Sequence, residues 1–183
     1  MMNIIYDQNY IRVIDNAISS ELCDELIDQF ETNTQLQFET PTRLIELGIW
    51  NLHNWANKEI ASNLLMDTVR SQYADYANKW DTLGMLPQTW AAEGFSVKGY
   101  RPHQHEFLTH VDQGDKDTAT RFIGFLFYLN DNEAGTEFPI HNFYNEAKKG
   151  RLLIFPPNWM YPHHGLMPTV STKYVMTSYA FYT

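Results

Sequence analysis

The feature that most constrains this chain is a change of periodicity near Gly84 and Pro87. Ahead of it, Leu22, Leu26, Ile27 and Phe30 form one apolar stripe, and Leu65, Val69, Tyr73, Tyr76 and Trp80 form another. Spacings of three and four residues are those of helices that bury one face. The first helix follows the alternating run YIRVID and starts at a cap on Ser19 or Ser20. Glu21, Asp24 and Glu25 then lie against the positive end of the helix dipole. The second is expected over about 57–80. Beyond Pro87, short runs rich in aromatic and β-branched residues take over: 95–100, 107–112, 121–129, 136–140, 151–155 and 173–182 read as strands. Turn-forming stretches such as NDNEAG and KKG separate them. Helices first and strands afterwards predict a mainly β fold of the α+β kind, an antiparallel sandwich or jelly roll packed by helices, and not alternating βαβ units.

At 183 residues, with no internal repeat or linker, the chain is expected to be one domain, with supporting strand and helices over 1–94 and the β core over 95–183. No apolar run is long enough to span a bilayer. The N-terminus, MMNIIYDQNY, carries neither a secretory nor an Arg-rich transit signal, which gives a cytoplasmic expectation. The formal charge of −9 disfavours attraction to nucleic-acid phosphates or anionic lipid. The one cysteine, Cys23, excludes an intramolecular disulfide and a thiolate metal cage, so any metal is held by nitrogen and oxygen.

The sequence offers such ligands. In THVDQGD, His110 and Asp112 stand two apart, a spacing that turns both side chains to one face of a strand. Alone, an H-x-D triplet is more often incidental than functional. Two histidines and a carboxylate on one octahedral face are, however, the usual cage of non-haem Fe(II), and leave positions for a bidentate 2-oxo acid and dioxygen. His163 and His164 are the candidates for the third ligand, and adjacent residues in an extended segment face opposite ways, so one of the two reaches the metal. His103 and His105 could join His110 in an all-histidine zinc site, but they lie in RPHQHE, which reads as loop.

At these residues the sequence resembles the 2-oxoglutarate and Fe(II)-dependent dioxygenases, and within them the prolyl hydroxylase group that includes the hypoxia-inducible-factor hydroxylases. The resemblance rests on Tyr100 ten residues before His110, on Phe107 three before it, on Tyr128-Leu129-Asn130, and on HGLMPTVSTKYVMTSYAF. It favours His164 as the distal ligand, because Lys173 lies nine residues and Pro168 four residues after it, with His163 as the alternative. It implies a double-stranded β-helix of the jelly-roll, cupin-like kind.

The resemblance further implies Fe(II), 2-oxoglutarate as co-substrate, dioxygen, and ascorbate as an admissible auxiliary reductant. The reaction implied is hydroxylation of a C–H bond with release of succinate and carbon dioxide. Lys173 is expected to meet the distal carboxylate of 2-oxoglutarate, since a buried anion needs a cationic partner. Thr177, four residues on, shares its strand face. Tyr128 is implied as a further donor, Tyr100 as a wall of the co-substrate pocket, and Arg121 as a substrate contact. Ala134-Gly135 stands where the family often has a Gly-Gly turn, and Lys173 where the hypoxia-type enzymes have Arg. Peptidyl proline is the leading substrate expectation. Alternatives are a free amino acid, another small molecule or a nucleobase, and a metal-binding module without turnover. Loops at 34–54 and 113–120 are expected over the mouth.

Overall fold

The computed structural model describes residues 2–40 and 45–183, so part of the expected 34–54 loop lies outside the described residues. The chain begins with β1 (Asn3–Gln8) and β2 (Ile11–Asp15), then α1 (Ser20–Thr32). Next come β3 (Phe38–Glu39), β4 (Ile45–Gly48) and α2 (Lys58–Trp80). After β5 (Ala91–Ala92) the strands run almost without interruption: β6 (Ser96–Tyr100), β7 (Phe107–His110), β8 (Arg121–Tyr128), β9 (Asn132–Phe138) and β10 (Phe143–Ala147). β11 (Leu152–Phe155), β12 (His163–Gly165) and β13 (Lys173–Phe181) complete the chain. The protein is thus mostly β with two α-helices among the described residues.

All the recorded strand pairs are antiparallel, and they build two sheets. The larger runs β1-β2-β11-β8-β13-β6-β4-β3, with β5 added on β13; the smaller runs β10-β9-β12-β7. The central strands of the larger sheet, β8, β11 and β13, are largely apolar on both faces, because each face is covered there. Phe125, Phe127, Met176, Leu152 and Ile154 pack with Leu26 and Phe30 of α1 and Leu65, Val69 and Tyr76 of α2. The intervening residues Tyr128, Val175, Leu153 and Phe155 pack with Phe138, Ala147 and Tyr161. The helices therefore cover one face of the larger sheet, and the smaller sheet covers the other.

Both helices start as expected: Ser19 accepts a hydrogen bond from the Leu22 backbone and caps α1, and α2 opens at Lys58. β2 forms on the alternating run ahead of α1, as expected, but the N-terminal half gives the sheet more than that strand: β1 pairs with β2, and β4, from between the helices, pairs with β6. The turn expected at NDNEAG is confined to its first residues, since β9 starts at Asn132. Gly135 belongs to that strand, and a Cβ there would stand 2.0 Å from the Asn145 carbonyl oxygen of β10. Its glycine serves close strand approach, not a turn.

Candidate active site

The smaller sheet brings two histidines together. β12 pairs with β7 so that His163 lies directly opposite His110, and their rings are 4.4 Å apart. Asp112 follows just beyond the end of β7, with Oδ1 3.3 Å from His110 Nε2 and Oδ2 3.4 Å from His163 Nε2. One ligand atom from each of the three falls within 4.8 Å of the others.

The hydrogen bonds around the rings decide what the cluster can hold. His110 Nδ1 is 2.8 Å from the Leu108 carbonyl and His163 Nδ1 is 3.1 Å from the Tyr161 carbonyl. A carbonyl only accepts, so each Nδ1 carries the hydrogen, and in the neutral ring each Nε2 then presents a lone pair. His110 Nε2 is buried without a hydrogen-bond partner. Burial lowers the pKa of His163, which favours the neutral, ligating form. Two lone pairs aimed at one carboxylate repel it unless a cation stands between them, and the donor set suits Fe(II). Phe107 stacks on His110 at 3.6 Å, and Phe138 and Phe155 pack on His163, fixing the ring planes.

His164, the residue favoured by spacing, points the other way. It pairs with Glu137 of β9, and its Nε2 lies 3.2 Å from Glu137 Oε2. Alternation along β12 separates the neighbours, so His163 and not His164 meets His110 and Asp112. The all-histidine alternative does not form: His105 Nδ1 accepts a hydrogen bond from the Arg101 backbone, and neither His103 nor His105 belongs to a three-ligand group among the described residues.

A pocket runs inward from this cluster, lined by Tyr100, Thr136, Lys173, Val175, Thr177 and Tyr179 among others. Lys173 is 2% exposed and makes no ion pair among the described residues. Its Nζ donates to the Leu166 carbonyl at 2.7 Å and lies 4.6 Å from the centre of the Tyr100 ring. Burial pushes its pKa down to about 7, with Glu133 opposing. Lys173 and Tyr100 are partners on adjacent strands, and Thr177 follows on the same face of β13. Tyr128 does not line the pocket directly; its hydroxyl donates to Thr136 Oγ1 at 2.7 Å, and burial raises its pKa to about 12.

Arg121 sits at the outer mouth, in a second cavity with Glu46, Glu93, Lys98, Asp115 and Thr118. Its guanidinium grips Glu93 through two bonds of 2.6 and 2.7 Å and donates to the Asp112 carbonyl at 2.9 Å. It also lies 4.0 Å over the Tyr179 ring. Arg121 therefore braces the segment that carries Asp112. The 113–120 loop contributes Gly114, Asp115 and Thr118 to this mouth.

Sequence reasoning missed Lys98, which lines both cavities. The signal was present in SVKGY, where alternation puts Lys98 on the same face as Tyr100. It also missed Tyr179, Phe138 and Phe155, whose aromatic character alone does not separate site from core.

Comparison with known proteins gives a consistent placement. Residues 95–181 match the family model described as the 2OG-Fe(II) oxygenase superfamily. None of the curated proteins matches the chain by sequence. Among solved structures, the chain resembles the viral collagen prolyl hydroxylase of Paramecium Bursaria Chlorella virus-1 in its 2OG complex, with TM-score 0.73 and 18% identity over 98% of this chain and 99% of that one. It also resembles a prolyl hydroxylase from Trichoplax adhaerens solved with a hypoxia inducible factor peptide fragment, with TM-score 0.71 and 19% identity over 95% and 84% of the two chains. A prolyl-4-hydroxylase of Pseudomonas putida gives TM-score 0.67 and 14% identity over 96% and 94%. At these identities the structural likeness speaks for the fold.

Proposed function

We propose that this chain is a 2OG-Fe(II) oxygenase, the superfamily whose model residues 95–181 match, that His110, Asp112 and His163 hold its Fe(II), and that Lys173 anchors the distal carboxylate of 2-oxoglutarate. The two sheets are then read as a double-stranded β-helix, with the smaller sheet carrying the metal ligands and the larger carrying Lys173 on β13. The observation that carries the ligand assignment is the convergence of both Nε2 lone pairs on the Asp112 carboxylate.

When bound, iron and 2-oxoglutarate would supply the oxidising chemistry, in which dioxygen and 2-oxoglutarate are consumed together, one oxygen atom going to the hydroxylated carbon and the other to succinate as carbon dioxide is released. The protein supplies position. The Leu108 and Tyr161 carbonyls hold the two histidine tautomers, and Arg121 holds the Asp112 backbone. Lys173, with Thr177 beside it, meets a carboxylate in a pocket whose aromatic walls exclude water and strengthen the pairing. Tyr128 acts at one remove, by orienting the Thr136 hydroxyl. No side chain is required as a general acid or base.

For the substrate, a proline in a peptide is the reading supported by the fold shared with three prolyl hydroxylases. The titrating experiment is addition of Fe(II) to anaerobic protein with 2-oxoglutarate, following the visible metal-to-ligand charge-transfer band. The band is expected in the wild type and in His164→Ala, and is expected to be lost in Asp112→Ala and His163→Ala. A band that survives His163→Ala but not His164→Ala would return the third ligand to His164. No band in a wild-type protein that still binds metal overturns the oxygenase reading.

A further inference from the structure

β6 and β13 present their inward side chains in register: Lys173 opposite Tyr100, Val175 opposite Lys98, Thr177 opposite Ser96. The co-substrate explains Lys173, Tyr100 and Thr177 but leaves Lys98 without a role. On its other side Lys98 is the direct partner of Glu46 in β4, yet the two form no ion pair. Glu46 instead accepts a hydrogen bond from Ser96 Oγ. Lys98 makes no hydrogen bond or ion pair among the described residues; its recorded contact is the Phe107 ring, whose centre lies 6.0 Å from Nζ. Its charge reaches the buried Asp112 only at a distance, so the ammonium of this half-buried side chain keeps its hydrogen-bonding capacity for a ligand.

Its position says what the partner is. Among the described residues Lys98 is the one Lys or Arg shared by the inner pocket and the outer cavity, whereas Lys173 lines only the inner one and Arg121 only the outer one, where Glu93 already neutralises it. We propose that Lys98 is the specificity-determining residue of the site and receives a carboxylate that the substrate carries next to the carbon being oxidised. The inference rests on the oxygenase reading above. Lys173 lies deeper and already meets the co-substrate, so the anion at Lys98 is a second one. Glu46, Glu93 and Asp115 around the same mouth oppose any anion, but a phosphate dianion about twice as strongly as a singly charged carboxylate, which is why the smaller charge is the one proposed.

The test uses the full chain as its anaerobic Fe(II) and 2-oxoglutarate complex and follows the shift of its charge-transfer band as probes bind beside the metal. Two matched pairs serve: proline-centred hexapeptides with Asp or Asn next to the proline, and L-proline with L-prolinamide. The carboxylate member of one pair is expected to bind about tenfold or more tighter than its amide. Which pair responds tells an acidic side chain from a free acid. Lys98→Met is expected to erase the preference and Lys98→Arg to keep most of it, both with 2-oxoglutarate affinity within about twofold of wild type. No carboxylate preference in either pair, failure to bind included, overturns the proposal, as does a preference that persists in Lys98→Met. Loss of 2-oxoglutarate affinity in Lys98→Met also overturns it and assigns the residue to the co-substrate. A wild-type protein without the band fails the oxygenase reading itself, a result separate from an intact band that ignores Lys98.

Discussion

Lys173, the proposed anchor of the co-substrate, is buried at a cost to folding. Its ammonium is buried against the Leu166 carbonyl and the Tyr100 ring, and burial brings its pKa down to about 7. An unfolded-chain lysine titrates near about 10.4, so the folded form binds the proton less well, and the penalty is fully present below about pH 7. It is relieved as pH rises toward about 10, where the unfolded chain loses its proton as well. Lys173→Met is therefore expected to stabilise the ligand-free protein by about 1–4 kcal/mol near neutral pH, with the gain shrinking at alkaline pH. Urea midpoints measured across pH check this, and a pH-independent difference counts against it. The same variant is expected to lose 2-oxoglutarate binding in calorimetry on Mn(II)-loaded protein. In the wild type that affinity is expected to fall by up to about tenfold per pH unit above the free-protein pKa. At this scale much of the candidate site's geometry was legible: the closeness of His110 and Asp112 and the inward face of Lys173 follow from spacing and strand alternation. Which of His163 and His164 faces that pair was not. It depends on the register of a three-residue strand against β7, a partner far away in the chain, and a slip of one residue reverses every side chain.

Elements were legible where each carries its own pattern. α1, α2 and the long strands β8 and β13 announce themselves through period and length, whereas β4, β5, β10 and β12 are too short or too mixed to do so and exist because a neighbouring strand pairs with them. The seat of α1 on the sheet is similarly cooperative. Phe30 is fully buried, and its ring lies over Gly99 of β6, where an added Cβ would stand 2.8 Å from Cζ. Gly99→Ala forces that ring aside and is expected to cost about 1–3 kcal/mol, read as a lower urea midpoint with unchanged slope. Phe30→Leu, itself destabilising, is expected to recover part of the loss when combined with Gly99→Ala, because the smaller side chain clears the new methyl. Strictly additive effects in that double-mutant cycle would show that the two positions do not meet.

Over the whole molecule, the segment that carries the family match is not the segment that completes the fold. Residues 95–181 hold the proposed metal ligands, Lys173 and Lys98, but the larger sheet is finished by β2 against β11 and by β4 against β6. α1 and α2 cover Phe95, Val97, Phe125, Phe127 and Met176. Removing residues 1–94 uncovers that apolar face and opens two sheet edges at once, which favours association over folding. The fragment 95–183 is accordingly expected to be insoluble, or to keep far-ultraviolet circular dichroism while losing its near-ultraviolet signal and binding a hydrophobic dye. The full chain is expected to unfold in one cooperative transition, because strands from both halves alternate in the same sheet. A soluble fragment that unfolds cooperatively and still forms the Fe(II) and 2-oxoglutarate band would instead make the β core an autonomous unit. In that case the N-terminal half would be an accessory layer, and its contribution through β4, which presents Glu46 to the mouth beside Lys98, would lie in selecting the substrate and not in holding up the sheet.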